Sequence, residues 1–267
     1  MPKQAKVLIL RTAGTNCNEE TAFAFAHFGA AVDQVHVNRL LKKQVRLSDY
    51  HILALPGGFS YGDDIAAGRI LANKLRLHLR EELKSFIEDG KLILGICNGF
   101  QVMIKAGLLP GTLKSNPEDV QPATLTNNDS GKFEDRWTCL KMTNDSVWTK
   151  GLPEIIYLPI AHGEGKFLTK DEQTLGELKQ TSRIALRYCD PQGKKSKYPW
   201  NPNGSMEDIA GITDESGRVL GLMPHPERHF FFTQCPAWTR LEKKSEYGDG
   251  AKIFANGVEY VRRHLIN

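Results

Sequence analysis

One segment limits the fold more than any other: residues 91–101, KLILGICNGFQ. A short apolar run ends at Gly95-Ile96-Cys97-Asn98-Gly99, and the residues after it carry the apolar spacing of a helix over 100–105, stopped at Gly107 with Pro110 beyond. A buried strand that turns directly into a helix leaves the residue at the turn above the edge of a sheet, and flanking glycines let the backbone make that turn. Cys97 holds that position. The helix N-terminus presents unpaired amides and the positive end of a dipole, which favour a thiolate and can stabilise an oxyanion. The segment alone leaves two readings, a nucleophile or a small core residue of the kind most free cysteines are. Cys17, Cys139, Cys189 and Cys235 lack a glycine-framed turn and are read as structural. Five cysteines without a CxxC pair give neither a disulfide framework nor a cysteine zinc site.

Around this segment the N-terminal half alternates strand and helix. Residues 7–10, 31–37, 52–55 and 91–94 read as strands, and 19–28 as a helix stopped by Gly29. Ile70, Leu71, Leu75, Leu79, Leu83, Phe86 and Ile87 predict one helix over 65–89. This alternation implies an α/β fold on a parallel sheet. From 112 to 202 the texture changes to short β-like pieces, 138–142, 155–160 and 184–188, with 115–136 and 190–205 expected as surface loops. Residues 209–212 and 219–223 read as a hairpin, and 251–265 as a closing amphipathic helix. Neither loop stretch has a core of its own, so the expectation is a single domain over 1–267.

Composition narrows the function. With 35 Lys+Arg against 31 Asp+Glu the formal charge is only +4, and the signs alternate, as in KLRLHLREELK over 74–84, which argues against a nucleic-acid partner. The apolar run at 7–10 is too short for a secretory core or a membrane span, so a cytoplasmic protein is expected. Eight histidines without paired spacing predict no metal site, and the absence of G-x-x-x-x-G-K-[ST] or a completed G-x-G-x-x-G predicts no nucleotide site in this chain.

A cysteine nucleophile needs a base, a group that orients the base, and oxyanion donors. Residues 219–223 deliver His225 to the end of a strand, between two prolines, and Glu227 lies two residues on, where its carboxylate can orient the ring. Pro56-Gly57-Gly58-Phe59 follows the strand 52–55, which sets it on the same C-terminal sheet edge as Cys97. His162, in AHGEG after another apolar run, is a second candidate for the base, ranked behind His225 because the HPE pair supplies an orienting carboxylate in place.

PGGF (56–59), GICNGFQ (95–101) and HPE (225–227), in that order along the chain, resemble the oxyanion loop, nucleophile motif and His-x-Glu pair of class I glutamine amidotransferases. The resemblance implies a flavodoxin-like three-layer sandwich around a mostly parallel sheet. It implies Cys97 as nucleophile on the side-chain amide of glutamine, His225 as acid and base, Glu227 as its orienter, and the backbone amides of Gly58 and Asn98 as oxyanion donors. Gln101 and the loop His162-Gly163-Glu164 would bind glutamine. A closer likeness to a purine-synthesis branch is carried by RTAGTNCNE (11–19), PGGFSYGDDIAA (56–67), PIAHGEGKF (159–167), NPNGSMEDIAGI (201–212) and GLMPHPER (221–228). In that branch the ammonia passes to a separate synthetase subunit that uses ATP and magnesium, assisted by a small third subunit. The stretches 115–136, 190–200 and 231–248 look longer or less typical than the family core. The loop 11–19 is expected to pack beside the glutamine site or to face the synthetase. Rival readings are a glutaminase for another acceptor, a stand-alone cysteine hydrolase, and a non-catalytic flavodoxin-like module.

Overall fold

The computed structural model describes residues 4–111, 113, 121–195, 197–242 and 245–266. The first half builds β1 (Lys6–Arg11), α1 (Asn18–His27), β2 (Ala31–His36), α2 (Val37–Leu41), β3 (Ile52–Leu55), α3 (Arg69–His78), α4 (Arg80–Glu88), β4 (Leu92–Ile96) and α5 (Asn98–Ala106). The second half adds β5 (Ala123–Thr126), β6 (Glu134–Met142), β7 (Ile155–His162), β8 (Lys166–Thr169), α6 (Glu172–Gln180), β9 (Ile184–Cys189), β10 (Ile209–Thr213), β11 (Val219–Leu222) and α7 (Ala251–His264).

Nine strands form one sheet in the order β2-β1-β3-β4-β11-β10-β9-β6-β7, and β5 pairs with β8 apart from it. From β2 to β11 every pairing is parallel; β1, β3, β4 and β11 are apolar runs, as expected of strands covered on both faces, while the edge strand β2 is half polar and buries only Val35. β10 and β6 run against that direction, while β9 and β7 run with it. The chain moves one way along the sheet from β1 to β2 and the opposite way from β3 to β4. Because such crossovers are right-handed, α1 and the pair α3–α4 cover opposite faces, and α5 packs beside α3. Phe25 of α1 meets Phe254 of α7 edge-to-face at 5.0 Å, so α7 joins α1 and completes the three layers. The reversal of strand order between β1 and β3 marks the crevice where open α/β sheets bind their ligands.

The antiparallel part curls. Although β7 stands at the far end of the strand order from β2, the N–H of His225, just past β11, donates to Pro159 O at 2.8 Å. The free edge of β7 thus returns to the C-terminal ends of β4 and β11.

Three expectations need correction. The helix predicted over 65–89 is two helices, interrupted at Leu79 (φ −125°, ψ 13°), and it begins at Arg69 after Gly68 in a left-handed conformation, leaving Ile65 exposed. The apolar spacing runs unbroken through the interruption because Leu75, Leu79 and Leu83 are all buried. Residues 123–126, expected as loop, form β5, whose Ala123 and Leu125 are buried, and 134–136 open β6; residues 115–120 of the predicted loop lie outside the described residues. β8 and α6 fill a stretch left unassigned by the sequence pattern.

What seats α5 is absence of side-chain volume. A Cβ on Gly99 would stand 1.8 Å from Leu55 O, and one on Gly221 would stand 2.1 Å from Cδ2 of Phe100. Helix and strands therefore approach more closely than any larger residue permits. The buried Phe100 ring in turn stacks on Phe167 of β8, at 6.3 Å and 9°. Gly221→Ala forces a rigid ring to move in a close-packed region, with an expected cost of about 1 to 3 kcal/mol. Urea unfolding midpoints of the two proteins measure it, and an unchanged midpoint would refute the tight seat of α5.

Candidate active site

Cys97 is the residue before α5, with φ +50° and ψ −106°. Such a backbone conformation costs a non-glycine residue on the order of 1 to 3 kcal/mol and persists only when its surroundings impose it. Here the Cys97 N–H donates to Leu222 O at 2.8 Å, its carbonyl accepts from Gln101 N at 3.1 Å, and the close seat of α5 leaves no room for relaxation. The sulfur points to the returning edge of β7, 3.6 Å from Ala161 O. Asn98 is the first residue of α5, so its N–H has no acceptor within the helix.

His225 and Glu227 follow β11 and are both buried. Their contact is short: Nδ1 lies 2.5 Å from Glu227 Oε1. Among the described residues, Glu227 Oε2 and His225 Nε2 have no hydrogen-bond partner of ordinary geometry. Burial acts to lower the imidazole's pKa, but the Glu227 carboxylate, and after it Cys97, outweigh burial and hold the ring well above 6.5. A Cβ on Gly57 would lie 2.7 Å from Cε1 of His225, so the PGGF loop is packed flat against the ring.

A second set of groups links α5 to the HGEG loop. Asn98 accepts from Ser60 N (3.1 Å) and donates to Asp63 Oδ1 (3.2 Å) and Gln101 Oε1 (3.0 Å), and Gln101 Nε2 donates to Glu164 O (2.6 Å). The Glu164 carboxylate accepts from Ala67 N and meets Lys105 Nζ at 3.5 Å. Burial lowers Lys105 from its ordinary value and raises Asp63. Gly163 O accepts from Asn128 N at 2.9 Å.

His162 is as buried as His225 but has a different partner at Nδ1. The side-chain amide of Asn128 donates to the carbonyls of Lys132 and His162, which fixes its Oδ1 as the acceptor for Gly165 N and for His162 Nδ1 at 3.1 Å. Burial, then repulsion from His225, pushes His162 down to about 3. It is a neutral ring with no carboxylate beside it, a weak base compared with His225.

The sequence-predicted residues thus converge: Cys97, Asn98, Gln101, Glu164, His225 and Glu227 meet at the C-terminal ends of β4, β7 and β11, with Gly58 on the loop after β3. Three contributors were not anticipated. Cys17, read as structural, brings its sulfur to 4.0 Å from His225 Nδ1, where Arg228 Nη2 donates to it at 3.1 Å. Burial raises the Cys17 thiol, and its S–H donates to Asn16 Oδ1 at 3.1 Å. Lys105 could have been found as a lone cation in an apolar helix two turns past Cys97. Asn203 of NPNGS is fully buried and donates to Gly165 O at 2.9 Å, holding the HGEG loop. Cys17, His225 and Glu227 offer donor atoms of the kinds that ligate metals, all within 4.8 Å. His225 and Glu227 are already hydrogen-bonded to each other, and a guanidinium sits on the sulfur, so this set is built for proton transfer and not for a cation. A cavity of about 910 Å³, lined by Asn144, Asp214 and Lys252 among others, contains none of these residues. No helix among the described residues is long and apolar enough to cross a membrane.

An α/β sheet with a strained cysteine elbow, a buried His–Glu pair and a glycine loop beside them is the architecture of a cysteine-dependent amidotransferase. The model of the CobB/CobQ-like glutamine amidotransferase domain matches residues 4–261, and the chain belongs to that family. Its relatives include phosphoribosylformylglycinamidine synthase subunit PurQ of Dehalococcoides mccartyi, 50% identical over 263 residues that cover 97% of this chain and 99% of that one. The protein of the same name from Archaeoglobus fulgidus is 40% identical over 273 residues, 98% of each chain. Among solved structures, a chain of PurLQS from Thermotoga maritima superposes with a TM-score of 0.71 at 32% identity, covering 97% of this chain and 100% of that one.

The state of His225 has a measurable consequence. Its folded pKa lies above the 6.5 of the free side chain, so pairing of the charged ring with Glu227 stabilises the fold fully below about pH 6.5 and fades as pH rises through the folded value. Glu227→Gln removes that charge pair. The urea midpoints of wild type and variant are expected to differ most near pH 6 and to converge at alkaline pH; a gap that does not change with pH would show a neutral ring.

Proposed function

We propose that the chain is the glutaminase subunit of phosphoribosylformylglycinamidine synthase, with residues 1–267 acting as a single cytoplasmic amidotransferase domain. Cys97 gives its proton to Nε2 of His225, and the thiolate attacks the side-chain amide carbon of L-glutamine. The resulting oxyanion accepts hydrogen bonds from the N–H groups of Gly58 and Asn98. Collapse of the tetrahedral state breaks the carbon–nitrogen bond as His225 returns the proton to the leaving nitrogen, releasing ammonia and leaving a thioester. His225 then takes a proton from water, the hydroxyl adds to the thioester, and glutamate leaves as Cys97 is reprotonated. Glu227 orients His225 and stabilises the imidazolium in both halves of the reaction. Gln101 and His162-Gly163-Glu164 contact the substrate.

No cofactor enters these steps. The ammonia passes to a synthetase subunit, which with ATP and magnesium converts formylglycinamide ribonucleotide to formylglycinamidine ribonucleotide, and a small third subunit completes the assembly. The observation that carries the reading is the 2.5 Å His225–Glu227 contact beside the strained Cys97, in a chain 40–50% identical over its full length to proteins named for this enzyme.

Ammonia release from glutamine tests it, measured for the chain alone and with the cognate synthetase subunit, its substrates and ATP. The expected result is stimulation by the partner and a loss on the order of a thousandfold or more in Cys97→Ser, as for other nucleophile deletions. High activity without the partner would instead define a stand-alone hydrolase. Inactivity under every condition, with Cys97 inert to an electrophilic glutamine analogue, would remove the catalytic assignment.

A further inference from the structure

The segment 12–17, RTAGTNC without its first residue, touches no reacting atom in the chemistry above, yet it is bonded to the loop that does. Asn16 N and Cys17 N both donate to Gly57 O, at 3.4 and 3.2 Å, while Gly14 O accepts from Phe59 N and Ala13 O from Tyr61 N, each at 2.8 Å. Thr15 and Gly58 face each other as an isolated antiparallel bridge. A trans peptide points its C=O and N–H in opposite directions. With Gly57 O pinned on the segment 14–17, the N–H of Gly58 is therefore aimed away from it. Since β3 lies between β1 and β4, the opposite side is the side of Cys97.

The segment is itself braced. Thr12 N donates to Thr15 Oγ1 and Thr15 N to Thr12 O, and Cys17 O accepts both Thr21 N and Thr21 Oγ1 in the first turn of α1. Its fit to the loop is tight: Gly14 has φ +83°, and a Cβ there would stand 1.9 Å from Phe59 O. Turning the Gly57–Gly58 peptide over would forfeit two hydrogen bonds and leave the Asn16 and Cys17 amides unpaired beside a buried site.

We infer that residues 14–17 are a clamp that fixes the Gly57–Gly58 peptide with the Gly58 N–H turned toward Cys97, so that this oxyanion donor is set by the chain itself before any partner docks. Asn16 and Cys17 are positioning residues through their backbone amides. The Cys17 sulfur, between Arg228 and His225, locks the same turn against the base. The inference rests on the proposed function for the meaning of the oxyanion, and on backbone geometry alone for the clamp.

Two reactions of Cys97 separate the clamp from general damage. Glutamine hydrolysis passes through oxyanions, whereas alkylation by iodoacetamide is a displacement at a saturated carbon and forms none. In Gly14→Ala, kcat for glutamine is expected to fall on the order of 100-fold, the loss typical of one oxyanion donor, with KM for glutamine and the alkylation rate near their wild-type values. Cys17→Ala keeps the backbone donor, so hydrolysis and alkylation are expected to shift together. Hydrolysis unaffected in Gly14→Ala, or lost in step with alkylation, overturns the clamp while leaving the glutaminase reading intact. Hydrogen exchange of the wild-type chain reads the clamp without substrate or variant: the Asn16 and Cys17 amides are expected to exchange slowly without partner, and rapid exchange overturns the inference. Slow exchange in a wild-type chain that never hydrolyses glutamine, even with its partner, overturns the glutaminase reading and the oxyanion role together.

Discussion

The close approach of α5 to the sheet is the constraint on which the rest of the site depends. Cys97 has a backbone conformation that its own side chain disfavours, and its surroundings must impose it. It persists because Gly99 lies on the carbonyl of Leu55 and Gly221 lies under Phe100, so the turn between β4 and α5 has one available path. The strain is carried by packing over three strands, and the return is a thiol at the head of a helix with its first amides free. A looser seat would let Cys97 relax toward ordinary dihedrals and carry its sulfur away from Ala161 and His225.

His225 arrives by a longer route. Some 128 residues separate Cys97 from His225 in sequence, and they build the antiparallel strands whose curl closes the site. β11 inserts beside β4 in parallel register, with Leu222 opposite Ile96, which fixes the height of both strand ends. β7 then comes back along the other side, taking the His225 amide through Pro159 and standing at Cys97 through Ala161. The HGEG loop directly after β7 is consequently delivered to Gln101 and Lys105 on α5, one and two turns along from Cys97. The parallel half of the sheet positions Cys97 and the PGGF loop; the antiparallel half positions His225 and the HGEG loop.

What could be read from the sequence follows from how local each cause is. The strand 52–55 and the helix stop at Gly107 were legible because apolar runs and a left-handed glycine act within a few residues. The Cys97 elbow and HPE pair were legible because their chemistry is written in adjacent residues. The break at Leu79 was not, since Leu75, Leu79 and Leu83 keep one buried face across it. β5 and β8 hid in polar, turn-rich sequence because each is four residues long and each buries only alternate positions or fewer against α5. Cys17 was read as inert for want of glycine neighbours, but its importance comes from tertiary contacts with Gly57, Arg228 and His225, and from a backbone amide that no residue type advertises.

His162 and His225 show why residue type and burial alone could not have ranked the two candidate bases. Both rings are about 2% exposed, and burial alone would lower the proton affinity of each. Among the described residues the polar partner at His162 Nδ1 is the Asn128 oxygen, a neutral acceptor whose orientation is fixed by two backbone carbonyls; it determines the tautomer but offers no charge to offset desolvation. Around His225 the partner is a carboxylate at 2.5 Å, and its charge more than reverses the effect of burial. The two rings also repel each other when charged, so the proton held on His225 is part of what keeps His162 neutral. One histidine is therefore held charged while its neighbour stays neutral and braces the loop beside it, a difference produced by Glu227 and Asn128 and not by the histidines themselves.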